Sequence, residues 1–259
     1  IDIDRPVLFD VVNRKPIAVP FDLFPNPYTM PPMHWRPDSS EVVFEYDQRG
    51  HQLYRMIAVD GVTGKARVVV EDRADTFVNV ERRYSHEVIR KDSTGHELIW
   101  MSERDGWNHL YLYDMRSGKV ENQITRGKWI VRKVLKVDDE KRQIWFAASG
   151  MYPGKDPYFQ HAYRVDFDGR NLTPITTVDA WHDVDFSSDM AFYVDTYSRV
   201  DLPNVAELRR ADGSLVAEVE KADVSKLVAA GFKPPEVFTA KGRDGVTDIW
   251  GVMVRAQNF

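Results

Sequence analysis

Ser102, Asp105 and His109 lie within eight residues of one another, in the segment "SERDGWNHLYLYD" at 102–114. Their side chains are those of a nucleophilic hydrolase triad, which needs an exposed serine hydroxyl, a base within hydrogen-bond reach and an oxyanion hole. In one large class of hydrolases that serine lies in a G-x-S-x-G turn, and the sequence does not contain this motif. The segment instead carries the Asp-Gly signal of a turn between two alternating apolar runs. We therefore predict a hairpin turn whose three side chains point to different faces or into solvent.

The other residues with catalytic or metal-binding potential form no recognisable pattern. The chain has no cysteine, which excludes a cysteine nucleophile, a disulfide framework and a cysteine-based zinc site. No two histidines have the H-x-x-x-H spacing of a helical zinc site, so we predict neither a metal site nor a cofactor. The run Asp138-Asp139-Glu140, followed by Lys141-Arg142, is typical of a solvated turn rather than of a paired acid and base.

Two further segments are candidate ligand contacts. Arg82-Arg83-Tyr84 lies where a strand is predicted to begin, and its two basic residues favour an exposed turn over a ligand contact. The segment "MYPGKDPYF" at 151–159 is rich in Pro, Gly and Tyr and is typical of a surface loop. The residues alone assign no chemistry to either segment.

Length and charge limit the function classes. The chain has 259 residues, enough for one large or two small domains, and its net charge of −5 argues against a general nucleic-acid binder. No apolar run is long enough to span a membrane. The first residues show neither the basic nor the apolar region of a signal peptide, and they do not begin with Met. We expect a mature or excised piece, with any targeting signal located upstream.

Short alternating apolar runs, separated by Gly, Asp, Asn and Ser, predict a chain made of β-strands. Two series of turns repeat along it at intervals of about 50 residues, the length of a propeller blade. The first series is Thr63-Gly64-Lys65, Ser117-Gly118-Lys119, Asp168-Gly169-Arg170 and Asp212-Gly213-Ser214. The second series places Asp38, Asp92, Asp138 or Asp139, and Asp189 before an apolar strand.

These repeats predict a partial β-propeller of four four-stranded units, at 28–75, 76–127, 128–179 and 180–221, because a single four-stranded sheet cannot bury both of its faces. Part of a preceding unit remains at 5–19. A β-sandwich with irregular loops is the alternative fold. Residues 222–231 predict a short helix with Asp223 as its N-cap, followed by two strands around Gly242-Arg243-Asp244-Gly245. We therefore divide the chain into blades at 1–221 and the start of a further domain at 222–259.

An ordered series of segments carries a resemblance to a known family. It comprises "MHWRPDSSEVVFEYDQRG", "SERDGWNHLYLYD", "NQITRGKWIV", "IWFAASG", "DFDGRNLTPIT" and "TYSRVDLPNVAELR". Together they resemble the β-propeller domain of the dipeptidyl peptidase IV group, within the prolyl oligopeptidase class of serine peptidases. The tail "VFTAKGRDGVTDIWGVMVRAQNF" is similar to the opening hairpin of that family's α/β-hydrolase domain.

The resemblance implies an eight-bladed propeller that gates access to a hydrolase domain and helps to bind peptides, from which the enzyme removes N-terminal dipeptides. It implies that the catalytic Ser, Asp and His follow residue 259, so the present chain is not catalytic by itself. The family's amine-binding glutamate pair has no counterpart here, because no Glu-Glu occurs. An aromatic residue that shapes the dipeptide pocket corresponds to Tyr84, with Arg83 beside it.

The resemblance also implies partners and a compartment. The partners are a peptide substrate and the α/β-hydrolase domain of the same chain; a homodimer stays open, and the compartment is extracytoplasmic. Two other functions remain as alternatives. The first is a self-contained propeller that binds or scaffolds other proteins without peptidase activity. The second is a propeller glycosidase, which would need a pair of carboxylates at the axis.

Overall fold

The computed structural model describes residues 5–29, 32–81, 83–89 and 96–256. Over these ranges the chain consists of antiparallel β-sheets and one short helix, so the predicted all-β class is confirmed. None of the helices in these ranges is long and apolar enough to cross a membrane. The chain divides into two compact units, which are described separately.

The first unit comprises Ile1–Arg126 and Phe167–Gly169. It holds a two-stranded sheet of β1 and β2, a five-stranded sheet and a four-stranded sheet. The five-stranded sheet has the order β3-β5-β6-β7, and its fifth strand, β4, also pairs with β5. The four-stranded sheet has the order β11-β10-β9-β8. Its strands are β1 Leu8–Asp10, β2 Lys15–Ile17, β3 Pro27–Thr29, β4 His34–Trp35, β5 Glu41–Gln48, β6 Leu53–Asp60, β7 Ala66–Arg73, β8 Ser85–Ile89, β9 His96–Ser102, β10 His109–Asp114 and β11 Lys119–Gln123.

The second unit comprises Gly127–Asp166 and Arg170–Phe259. It holds two four-stranded sheets, in the orders β12-β13-β14-β15 and β16-β17-β18-β19, and a two-stranded sheet of β20 and β21. Its elements are β12 Ile130–Asp138, β13 Gln143–Ser149, β14 Gln160–Asp166, β15 Thr173–Pro174, β16 Trp181–Phe186, β17 Phe192–Arg199, β18 Leu202–Arg210, β19 Leu215–Lys221, α1 Ser225–Ala229, β20 Glu236–Lys241 and β21 Asp248–Met253.

Each of the four larger sheets lies within one predicted repeat unit, except that β3 begins one residue before the unit predicted at 28–75. Each is an antiparallel meander in chain order, which is the form of a propeller blade. The segment 151–159 forms the connection between β13 and β14, as predicted for a loop. The boundary between domains at residue 221 stays a prediction.

The core of the first unit lies between the sheets of β5–β7 and β8–β11. Leu98, Trp100 and Tyr111 of the later sheet pack with Met56 and Val70 of the earlier one, and all five side chains are buried. Each fully buried side chain of this size stabilises the fold by about 1.5–3 kcal/mol. Almost every residue of β9 and β10 is buried.

The repeated turn glycines have a common physical cause. Gly64, Gly118, Gly169 and Gly213 all have positive φ, which glycine adopts without steric strain. Three of them also lie against the main chain of a preceding strand or of the residues that follow one. The Cβ of an alanine would there meet the carbonyl oxygen of Ala18 at Gly64, of Val69 at Gly118 and of Ile124 at Gly169. The turn glycine thus lets one sheet approach its predecessor closely.

The aspartates of the second repeat series stabilise turns. Each carboxylate accepts a hydrogen bond from a main-chain N–H two or three residues later, which is the Asx pattern of a turn. The pairs are Asp38 with Ser40 at 3.0 Å, Asp138 with Lys141 at 2.9 Å, and Asp189 with Ala191 at 3.0 Å. Asp92 lies outside the described residues. The run at 138–142 is a turn, as predicted, and Lys141 also forms an ion pair with Asp138 at 3.3 Å.

The chain after residue 221 differs from the prediction in one detail. The N-cap of α1 is Val224 rather than Asp223, although the Asp223 carboxylate accepts a hydrogen bond from the Ser225 N–H at 2.8 Å. Asp223, one position before the N-cap, therefore accepts a hydrogen bond from a main-chain N–H at the start of the helix. The predicted hairpin is confirmed, because β20 and β21 pair from Glu236 opposite Met253 to Lys241 opposite Asp248.

Gly118→Ala should destabilise the protein more than Gly213→Ala does. Both substitutions place a side chain at positive φ, at a cost of about 1–2 kcal/mol. The new Cβ at position 118 would also lie 2.9 Å from the Val69 carbonyl oxygen, whereas at position 213 nothing lies closer than 3.9 Å. We expect a difference of about 1–3 kcal/mol in the free energy of unfolding, measured by urea denaturation. Equal losses in both variants would contradict the close-approach explanation.

Candidate functional site

The structure resolves the question raised by Ser102, Asp105 and His109. Ser102 ends β9 and His109 begins β10, and the two residues pair across the hairpin. Both are buried, with Ser102 donating to the Asp72 carboxylate at 2.6 Å and the His109 ring lying 3.1 Å from the Thr125 hydroxyl. Asp105 is exposed in the turn between them. The predicted turn is confirmed, but the expectation of divergent or solvated side chains is wrong for Ser102 and His109.

Asp72, near the end of β7, is the centre of a buried polar cluster in the first unit. Its side chain is buried and accepts four hydrogen bonds. One oxygen accepts from Arg83 Nη1 and from Trp100 Nε1, each at 2.7 Å. The other accepts from Ser102 Oγ at 2.6 Å and from Arg104 Nη2 at 2.8 Å. Because a carboxylate offers about four acceptor sites, all of them are occupied.

Arg104 joins this cluster to the hairpin turn. Its Nε donates to Ser102 Oγ at 2.9 Å, and Nη1 donates to the Tyr113 hydroxyl. The guanidinium also lies over the rings of Tyr111 and Tyr113, at 4.8 and 5.4 Å from their centroids. Such cation–π contacts contribute about 0.5–1 kcal/mol each at partly exposed sites.

Arg83 is held by three separate segments of the first unit. Its Nε donates to the Asn79 carbonyl oxygen at 3.0 Å, and Nη1 donates to Asp72 and to the Met101 carbonyl oxygen at 2.5 Å. Its side chain is buried, so the prediction of an exposed basic turn is wrong for Arg83. Arg82 lies outside the described residues. Arg83 Nη2 makes no hydrogen bond to the part of the chain that the structure describes, so this group can donate to a ligand.

Tyr84 immediately precedes β8. Its carbonyl oxygen accepts from the Met101 N–H at 3.0 Å, which fixes the main chain at the start of the strand. Its ring stacks on His86, with centroids 6.5 Å apart and planes 20° apart.

A depression of about 350 Å³ lies beside β8. The Glu45 carboxylate in its wall accepts hydrogen bonds from the hydroxyls of Tyr54 and Ser85, and burial together with Glu45 raises the pKa of Tyr54. Glu87 lies 2.7 Å from His34 Nε2. The lining residues are Pro32, His34, Phe44, Glu45, Met56, Ser85, His86 and Glu87. The depression thus combines apolar side chains with carboxylates, next to Tyr84.

The described residues contain no group of three or more His, Asp or Glu side chains that could hold a metal ion. Around the start of β8 the first unit presents an aromatic ring, a guanidinium donor and carboxylate acceptors. The sequence pattern singled out Arg83 and Tyr84, which are adjacent, but it gave no sign of Asp72 or Glu45. Their partners lie 9 to 40 residues away in the chain, and most of them are beyond the reach of a local motif.

A sequence model of the dipeptidyl peptidase IV N-terminal region matches residues 6–204. The chain belongs to the dipeptidyl peptidase IV family. Dipeptidyl peptidase 4 of Trichophyton rubrum is 24% identical over 200 residues, and that of Arthroderma otae is 25% identical over 200 residues. Each alignment covers 76% of this chain and 25% of the relative. The chain thus spans about a quarter of the length of these relatives.

The fold comparison agrees with this assignment. The crystal structure of Porphyromonas gingivalis dipeptidyl peptidase 4 matches with a TM-score of 0.72 and 21% identity, covering 98% of this chain and 35% of that one. At this identity the match shows the fold alone. It confirms the prediction of a partial β-propeller for this member of the dipeptidyl peptidase IV family. In these relatives the matching region is part of a larger chain.

The second unit of this dipeptidyl peptidase IV family member contains a buried histidine pair. The rings of His161 on β14 and His182 on β16 have centroids 5.1 Å apart. His182 Nδ1 lies 2.8 Å from Asp195, and Nε2 lies 2.8 Å from the Val178 carbonyl oxygen, so both nitrogens face acceptors. Burial, followed by His182, lowers the pKa of His161 to about 4, with Lys155 acting in the same direction and Asp179 and Asp195 opposing it.

This depressed pKa predicts acid sensitivity. His161 binds a proton in the unfolded chain near pH 6.5 but in the folded chain only near pH 4. Between these values the unfolded state holds more protons, so stability falls as the pH is lowered from 6.5 to 4. The loss attributable to His161 is about 3 kcal/mol.

His161→Gln should remove this part of the pH dependence. We expect the free energy of unfolding, measured by urea denaturation, to fall less steeply in the variant than in the wild type between pH 6.5 and 4. Above pH 6.5 the two proteins should show parallel pH dependence, which serves as an internal control. Identical slopes below pH 6.5 would show that His161 is not the titrating group.

Proposed function

We propose that the chain is the propeller portion of a dipeptidyl-peptidase-IV-like serine exopeptidase. It gates access to the active site and shapes the pocket for peptides from which the enzyme removes N-terminal dipeptides, while it is not catalytic by itself. The observation that carries the proposal is the family match over residues 6–204, joined to Arg83, which three segments hold, and the adjacent Tyr84 at the start of β8.

Tyr84 and Arg83 are the substrate-binding residues in this proposal. The Tyr84 ring supplies an apolar face, and Nη2 of Arg83, which has no hydrogen-bond partner among the described residues, supplies a charged donor for a peptide carbonyl or carboxylate. Peptides carry both kinds of group, and aromatic and arginine side chains dominate such recognition surfaces. The held conformation of both residues supports the proposal, because a pre-organised contact loses little entropy when a ligand binds.

The C-terminal hairpin supports an association with a further domain. Val237 and Val252 lie on one of its faces, and Phe238 and Ile249 on the other. All four are about half exposed in the described part of the chain. Apolar residues on both faces are typical of strands buried on both sides in a larger sheet, and an isolated two-stranded hairpin is only marginally stable. We propose that the α/β-hydrolase domain of the same protein covers this hairpin and supplies the catalytic Ser, Asp and His.

Tyr84→Ala in the full-length protein should raise KM for a dipeptide p-nitroanilide about tenfold, because loss of the ring contact removes about 1.4 kcal/mol of binding free energy. kcat should change by less than about twofold, since the ring makes the same contact in the ground and transition states. Steady-state kinetics measure both constants. Tyr84→Phe, which retains the ring, is the matched control and should keep KM close to that of the wild type.

An unchanged KM in Tyr84→Ala would refute the assignment of Tyr84 to the substrate pocket. The isolated 259-residue chain should hydrolyse no dipeptide p-nitroanilide. Hydrolysis by that chain would overturn the proposal that the catalytic triad lies elsewhere.

A further inference from the structure

We propose that Asp72 is a positioning residue for substrate binding: it holds Arg83, and through Arg83 the main chain of Tyr84, in the orientation that receives the peptide. This inference rests on the proposed function, because it assumes that Arg83 and Tyr84 contact the substrate. Asp72 itself is buried beneath them and touches no substrate.

The first step is the convergence of separate segments on Arg83. Asp72 belongs to β7, Met101 to β9, and Asn79 to the connection between β7 and β8, and each supplies one acceptor to the guanidinium. Met101 also donates its N–H to the Tyr84 carbonyl oxygen. The residue that accepts from Arg83 is thus the one that fixes Tyr84. Movement of the Arg83 side chain would disturb both contacts of Met101.

The second step is the chemistry of Asp72. Only an ionised carboxylate accepts four hydrogen bonds without presenting a donor. An asparagine would turn an N–H₂ group either toward Arg83 and Trp100 or toward Ser102 and Arg104. All four of these partners donate to Asp72, so either orientation opposes two donors. The isosteric change therefore removes the charge that pairs with Arg83 without altering the volume of the site.

The acceptors around Arg83 occupy two of its three guanidinium nitrogens. Asp72 and Met101 occupy Nη1 of Arg83, and Asn79 occupies Nε. The planar guanidinium then has one orientation, in which Nη2 is left for a ligand. Arg104 is anchored to the other oxygen of Asp72, so the hairpin turn between β9 and β10 is fixed by the same carboxylate. The buried Asp72 side chain thereby fixes the start of β8 through Arg83 and the turn between β9 and β10 through Arg104.

The test is a double-mutant cycle in the full-length protein with Asp72→Asn and Tyr84→Ala, assayed with a dipeptide p-nitroanilide. Asp72→Asn alone should raise KM about five- to tenfold and change kcat less than twofold. In the Tyr84→Ala background the same change should raise KM by a smaller factor than in the wild type, because one of the two residues that Asp72 positions is already absent.

Glu207→Gln is the matched control. Glu207 is a buried carboxylate of the second unit that accepts two hydrogen bonds from Arg209, at 2.9 and 2.7 Å, and one from the Tyr197 hydroxyl. Its neutralisation should lower the thermal midpoint of the protein but leave KM unchanged. Ser102→Ala removes a single hydrogen bond to Asp72 and provides a milder variant, for which we expect a smaller rise in KM with the same dependence on Tyr84.

The outcomes separate the two proposals. If Tyr84→Ala leaves KM unchanged, the proposed pocket is wrong and the positioning role falls with it. If Tyr84→Ala raises KM but Asp72→Asn and Ser102→Ala do not, the pocket stands and the positioning role is overturned. Independent, multiplicative effects of Asp72→Asn and Tyr84→Ala on KM would also overturn it.

Discussion

The organisation of the first unit depends on the buried carboxylate of Asp72. A charge removed from water is tolerated only when it is paired and hydrogen-bonded. Two arginines, a tryptophan and a serine meet that requirement, and they come from the connection before β8, from β9 and from the β9–β10 turn. Removing one partner of such a buried pair costs about 3–5 kcal/mol, so these segments are bound to one arrangement.

The repeated sheets give this carboxylate its setting. Within the first unit, a turn glycine brings the sheet of β8–β11 against the outer strand of the preceding sheet. This glycine is Gly118, which approaches the Val69 carbonyl oxygen. Val69 lies in β7, three residues before Asp72 in the sequence. The close approach in the middle of β7 and the ion pairs near its C-terminal end fix the two sheets to each other. Met56, Val70 and Trp100 belong to the apolar core between the same two sheets.

The features that could be predicted from the sequence are those that recur from blade to blade. Turn residues such as Gly64, Gly118 and Asp189 recur because every blade needs the same positive φ, close approach or Asx turn, and a periodic requirement leaves a periodic trace. The four units, the C-terminal hairpin and the short helix could therefore be placed from residue patterns. The helix cap was misplaced by one residue because Asp223 reaches the Ser225 N–H from outside the cap position.

Only those site residues that the family resemblance assigns could be predicted from the sequence. Arg83 and Tyr84 were assigned through the family, whereas the residues alone indicated an exposed turn, since adjacent arginines are usually solvated. Arg83 is buried because its acceptors arrive from three segments that are distant in sequence, and no local pattern encodes such a meeting. The absence of a G-x-S-x-G motif argues against Ser102 as a nucleophile. The spacing of residues in the sequence does not reveal that Ser102 is buried against Asp72, because that contact forms only in the folded chain.

Each unit places a buried carboxylate where strands from neighbouring sheets meet, and the two carboxylates differ in what they can respond to. Asp72 is paired with arginines, which stay charged at any physiological pH. Asp195 is paired with His182, and His161, whose pKa burial lowers to about 4, lies against the same ring. The first unit thus holds its buried carboxylate with permanently charged partners, whereas the second unit places its carboxylate beside two stacked histidine rings.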